Sequence, residues 1–208
     1  MPVDEQRHPM SMTLQNRIST HFEESGQFKL ELAGLLAAPI ANAAEIIVEA
    51  LLKEQKILAC GNGGAAASAQ YFASLMLNRF EMERPGLAAI ALSADNTTLT
   101  SIADENHFEQ VYSKQISALG MEGDVLLVIS ARGTSANIIK AISAAQERGL
   151  CIIAITGGDG GRVIETLGEH DIHIGVPHDS ASRVQEAFVL ILHCLCDAID
   201  CLLLGVNE

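Results

Sequence analysis

Two short loops in this chain carry residue types suited to holding an anion. Gly61-Asn62-Gly63-Gly64 follows the apolar run Lys56-Ile57-Leu58-Ala59-Cys60 and opens a segment rich in small residues. Glycines let backbone N–H groups approach a negative group closely, and the positive end of a helix dipole adds to the attraction. The loop is neither a Walker sequence nor a complete dinucleotide fingerprint, so taken alone it is equally a tight turn. Ser130-Ala131-Arg132-Gly133-Thr134-Ser135 follows the apolar run Asp124-Val125-Leu126-Leu127-Val128-Ile129. Its hydroxyls can bond phosphate oxygens beside the free N–H groups of the next helix, and Arg132 can pair a phosphate through two parallel bonds. The plainer reading is that Ser135 caps that helix. Two such loops on neighbouring strands favour a ligand over capping alone. A third loop, Thr156-Gly157-Gly158-Asp159-Gly160-Gly161, reads as structural.

The elements that must position these loops alternate. Helical periodicity runs over 25–53, where Leu32, Leu35, Leu36, Ile40, Ala43, Ile47 and Leu51 recur at three- and four-residue steps, and Pro39 is expected to break or kink it. Strands are expected at 56–60, 87–92, 124–129, 150–155 and 172–176. Helices are expected at 65–80, 96–103, 108–119, 136–148, after 161, and at 182–204. Gly149 is placed as a helix C-cap. Continuously apolar strands separated by helices imply an α/β three-layer sandwich whose parallel sheet is covered on both faces. Ligands in such a fold sit at the carboxyl ends of the strands. The expected organisation is a loose lead-in over 1–12, a helical arm over 13–55 and the α/β domain over 56–208, arm and domain forming one structural unit.

Composition excludes several functions. The 26 acidic against 13 basic side chains leave a formal charge of -13, which repels a phosphate backbone, so no direct nucleic-acid partner is expected. The five cysteines, Cys60, Cys151, Cys194, Cys196 and Cys201, form no CxxC pair and suit buried thiols of a reducing compartment. No apolar signal segment is visible at the N-terminus. The stretch 187–206 is long enough for a bilayer, yet it holds His193, Asp197 and Asp200 and reads better as the centre of a soluble assembly. A cytoplasmic oligomer with no membrane partner is expected.

Residues 60–64, 78–85, 123–130, 136–142, 156–161 and 183–186 together resemble the sugar isomerase (SIS) domain family. Within it the match is to the phosphoheptose isomerase branch and its relatives, the DnaA initiator-associating proteins. The resemblance spans about residues 14–204. It implies a five-stranded parallel, flavodoxin-like sheet with an N-terminal helical arm, and a homotetramer with sugar-phosphate sites between subunits. It assigns ligand binding to Asn62, Gly63, Gly64, Asp95, Ser130, Arg132, Ser135 and Gln185.

The same resemblance marks departures. Isomerases of this branch carry a His and, four residues later, a Glu on the helix after the glycine loop; here those positions are Tyr71 and Leu75. The partner Gln and His survive as Gln185 and His193, eight residues apart and so on one helical face. The relatives' four residues can hold zinc, but an amide and one imidazole are too few, and no metal or other cofactor is expected. Isomerases have Ser where this chain has Ala65, and a Ser-Thr-Ser-Gly-Asn-Ser loop in place of 130–135. An aldose–ketose isomerase needs a general base and acid, and Leu75 supplies neither. The expectation is therefore no catalytic residue and a non-enzymatic regulator: a tetramer that binds the initiator DnaA and promotes its assembly at the origin. Leu203 and Leu204 are candidates for the partner patch, and His193 is read as a packed helix histidine. The alternatives are a phosphoheptose isomerase acting on sedoheptulose 7-phosphate, and a sugar-phosphate-binding sensor.

Overall fold

The computed structural model describes residues 13–205; the expected lead-in over 1–12 lies outside them, as does Val206. Five parallel strands, β1 (Ile57–Gly61), β2 (Ala89–Ala91), β3 (Val125–Ser130), β4 (Cys151–Gly157) and β5 (Ile172–Val176), form one sheet in the order β2-β1-β3-β4-β5. Every residue of β1 and β3 is buried, as both-face coverage requires. Leu58, Cys60, Leu126, Val128, Ile152 and Ala154 join one core cluster with Val111, Ile116, Ile138, Ala141 and Ala145. Their alternate neighbours point to the opposite face, where α2 (Gly64–Leu77) and α7 (Ala181–Leu204) pack. The flavodoxin-like sandwich expected from the sequence is thus the observed one.

The remaining helices are α1 (Leu14–Leu52), α3 (Asn96–Asn106), α4 (Ser113–Leu119), α5 (Ala136–Glu147) and α6 (Gly161–Thr166). By compactness the chain divides into Met1–Leu35 and Leu36–Glu208. The first unit, as far as it is described, is helical throughout; the second contains the sheet and all candidate site residues.

Two local expectations are corrected. α1 continues through Pro39, because a proline forfeits one hydrogen bond of the ladder while Ala43, Ala44 and Ile47, directly after it, are fully buried. The expected single helix over 108–119 is a 3₁₀ turn, Phe108–Gln110, followed by α4. Val111 and Tyr112 at the junction are buried, and the Tyr112 hydroxyl donates to the Gly61 carbonyl, which pins the chain between the two pieces. α1 and α7 are both long and apolar enough to cross a membrane. In α7, however, Phe188, Leu192, Leu195 and Ile199 are fully buried within the protein, the signature of a core helix.

Candidate active site

The strand order reverses at β1, which pairs with β2 on one side and β3 on the other. The crevice at such a switch point, outside the carboxyl ends of the strands, is where this architecture binds ligands. The loops flanking it are the two singled out in the sequence. They are tied together by a reciprocal amide pair: Asn62 Nδ2 donates to Asn137 Oδ1 at 2.8 Å, and Asn137 Nδ2 donates to Asn62 Oδ1 at 2.9 Å. Asn137 was not foreseen. Its signal was a polar amide on the buried stripe of α5, beside Ile138 and Ala141, since a buried polar group needs a partner.

The second loop is set by backbone packing. Gly133 has φ +62°, and a Cβ there would lie 1.8 Å from the Gly160 carbonyl oxygen. Val163 N–H donates to the Gly133 carbonyl, so the structural role read for 156–161 is to buttress this loop. Ser130 is buried and its hydroxyl accepts from Gly133 N–H at 3.2 Å, shaping the turn. Ser135 occupies the N-cap position of α5, but its hydroxyl makes no capping bond, which leaves it available to a ligand. Arg132 is exposed and makes no ion pair with a described residue. It lines a cavity of about 380 Å³ with Gly157, Gly158, Asp159 and His178. Ala65 is buried and offers the site no hydroxyl.

α2 and α7 lie side by side, and three contacts connect α7 to α2 and to the segment that follows it. At the first, Gln185 Nε2 donates to Ser68 Oγ at 2.7 Å and to the Gly64 carbonyl at 3.2 Å. The approach is close: a Cβ on residue 64 would meet Gln185 Oε1 at 2.9 Å and push the amide aside. At the second, Tyr71 Oη and His193 Nε2 are 3.0 Å apart. Phe80 lies against the same imidazole, ring centroids 5.5 Å apart. At the third, Arg84 Nε donates to Asp200 Oδ1 while its other nitrogens donate to the Leu75 and Met76 carbonyls. The middle contact carries the two groups able to move a proton.

Zinc, which the family resemblance implies at positions 71, 75, 185 and 193, does not fit these residues. Leu75 has no donor atom, and Gln185, whose N–H groups go to Ser68 and Gly64, offers only a neutral amide oxygen. Tyr71 is hydrogen-bonded to the one imidazole, and no carboxylate, thiolate or second histidine stands at the four positions, so the set lacks the donors that zinc sites use. Among the described residues no group of three His, Cys, Asp or Glu side chains could hold a metal ion.

The other expected residues take no part in the contacts between α2 and α7 described above. Asp95 is the N-cap of α3, accepting from Thr97 N–H at 2.9 Å and from Thr98 Oγ1 at 2.6 Å. These bonds, the Thr98 hydroxyl foremost, hold its carboxyl below the usual carboxylate range. It lines a groove with Ile90, Ile102 and Leu119. Leu203 is partly buried and Leu204 is exposed near the end of α7.

A family model described as SIS domain matches residues 21–157, and the chain belongs to the SIS-domain family. Curated relatives define the branch. The chain is 58% identical over 197 residues to a phosphoheptose isomerase of Aromatoleum aromaticum (strain DSM 19018 / LMG 30748 / EbN1), covering 95% of this chain and 100% of the relative. It is 57% identical, with the same coverage, to a phosphoheptose isomerase of Azoarcus sp. (strain BH72). Among solved structures, phosphoheptose isomerase GmhA from Neisseria gonorrhoeae superposes with a TM-score of 0.85 at 46% identity, over 90% of this chain and 99% of that one. A phosphoheptose isomerase from Francisella tularensis gives 0.88 at 45% identity, over 91% and 99%.

These full-length identities overturn the reading of the chain as a non-enzymatic regulator of DnaA, and the expectation that it is not an enzyme. That reading gave two departures, Tyr71 and Leu75, more weight than the rest of the chain.

Proposed function

We propose that this protein is a phosphoheptose isomerase, interconverting the ketose and aldose forms of a heptose phosphate in the cytoplasm, and that it acts as a homotetramer. The observation that supports it most is identity of 58% to an isomerase along that relative's whole length. The site geometry is compatible with the chemistry. Arg132, the unused Ser135 hydroxyl and the N-terminus of α5 supply charge and donors for a phosphate. Asn62 and the adjoining glycine backbone face the same crevice. His193, beside Tyr71, is the group placed to carry a proton between adjacent sugar carbons. Exposed apolar side chains on α1 and α7, Leu14, Ile18, Phe22, Leu190 and Leu202 among them, support assembly with further copies.

The test is incubation of the purified protein with sedoheptulose 7-phosphate, followed by NMR beside an active relative. The aldose heptose 7-phosphate is expected to accumulate, and His193→Asn is expected to slow its appearance by about 100-fold or more. A folded wild-type protein that forms no aldose would overturn the proposal.

A further inference from the structure

We infer that Tyr71 is a catalytic residue, forming with His193 a neutral acid–base pair that carries the isomerisation without a metal ion. The inference rests on the isomerase reading above and concerns how this site performs it.

The two heteroatoms are 3.0 Å apart on neighbouring helices. Tyr71 is 40% exposed, so its hydroxyl is within reach of a ligand. The imidazole is held by rings on two sides, Tyr71 edge-on at 5.7 Å and Phe80 tilted at 5.5 Å. No carboxylate is hydrogen-bonded to either group among the described residues, so the proton in their shared bond is the one the site has to offer. A donor and an acceptor this close match the reaction's demand for a proton taken from one carbon and another delivered to the oxygen of the next.

The step balances. His193 Nε2 takes the proton from C1 of the ketose, and the C1–H electron pair becomes the C1–C2 double bond. The carbonyl electrons move to O2, which takes the Tyr71 proton, leaving an enediol between imidazolium and phenolate. The phenolate then removes the O1 proton, the C1–O1 double bond forms, and C2 takes the proton back from His193. Both side chains end as they began, and no oxidant or reductant is consumed. The opposite charges formed in the intermediate lie side by side and stabilise one another, an advantage that a lone histidine lacks.

The experiment compares wild type with Tyr71→Phe, each dialysed against a chelator, on sedoheptulose 7-phosphate in H₂O and in D₂O. The substitution removes one partly exposed hydroxyl and keeps the ring against His193, so the melting temperature should not change. Expected results are wild-type turnover that survives chelation, a kcat at least about 100-fold lower in Tyr71→Phe with little change in KM, and a parallel loss of solvent deuterium entering C1 of the ketose. Unchanged kcat in Tyr71→Phe would refute the pair and leave the isomerase reading standing. So would wild-type turnover that requires added zinc. An inactive wild type would remove both.

Discussion

Arg84, in the segment after α2, and Asp200 of α7 form the contact whose loss should unsettle both fold and site. Their side chains are 1% and 2% exposed. Arg84 gives its remaining donors to the carbonyls of Leu75, Met76 and Pro85, and Asp200 Oδ2 has no hydrogen-bond partner among the described residues. Replacing Arg84 by Met therefore strands a carboxylate with neither oxygen satisfied and removes the guanidinium from the Leu75, Met76 and Pro85 carbonyls, of which Met76 keeps the Leu87 N–H. Breaking a buried pair in this way costs about 3–5 kcal/mol. For a chain of this size each kcal/mol lowers the melting temperature by about 2–4 °C, so a drop of about 6–20 °C is expected. Asp200→Asn should cost less, since the amide oxygen still accepts from Arg84 Nε and the guanidinium keeps its three carbonyls. Removing both charges, as Arg84→Met with Asp200→Leu, should recover much of the loss, because hydrophobic replacements of a buried pair are often close to neutral. Thermal unfolding followed by circular dichroism at one fixed protein concentration reads all four proteins, a precaution needed where assembly contributes to stability. An Arg84→Met protein melting within about 2 °C of wild type would refute the argument, as would a double variant no better than the single.

Two other outcomes follow from the geometry. Gly133→Ala should destabilise by more than about 1 kcal/mol in urea unfolding, because the residue has positive φ and its new methyl would overlap the Gly160 carbonyl; an unchanged midpoint would contradict the packing described. His173 donates to or accepts from Thr156 Oγ1 at 2.7 Å, and burial lowers its pKa from the usual histidine value. The unfolded chain then binds the proton more readily than the folded one, so this contribution to stability is complete above about pH 6.5 and is lost as pH falls through that value towards the folded pKa. His173→Asn should flatten that slope in unfolding curves taken between about pH 5 and pH 7.5, a range that spans the unfolded histidine pKa of about 6.5.

The fold was legible because its signals are local. The apolar run 125–129 lies in the fully buried β3, and β5 occupies Ile172–Val176 as read, as a partly buried strand at the sheet edge. The two ligand loops were legible for the same reason, lying directly after such runs. What the chain did not disclose is which side chains meet across separate helices. Nothing in the spacing of residues 62 and 137, or of 71 and 193, says that their polar groups touch. Activity was hidden for another reason, since two altered positions say less than identity along the whole chain. Tyr71 and Leu75 were weighed as two losses on one helix, whereas the structure places the Tyr71 hydroxyl against His193, on another. Pro39 failed as a helix breaker because burial around Ala43 and Ile47 outweighs one missing hydrogen bond.

The paired amides of Asn62 and Asn137 have a consequence for any kinetic study of the site. Neither group ionises in the accessible pH range, and neither carries a charge that salt can screen. The bridge across the crevice is therefore the same in acid and in base, in dilute buffer and in concentrated electrolyte. A rate profile recorded against pH will register the groups that exchange protons with substrate, undistorted by opening and closing of this clasp.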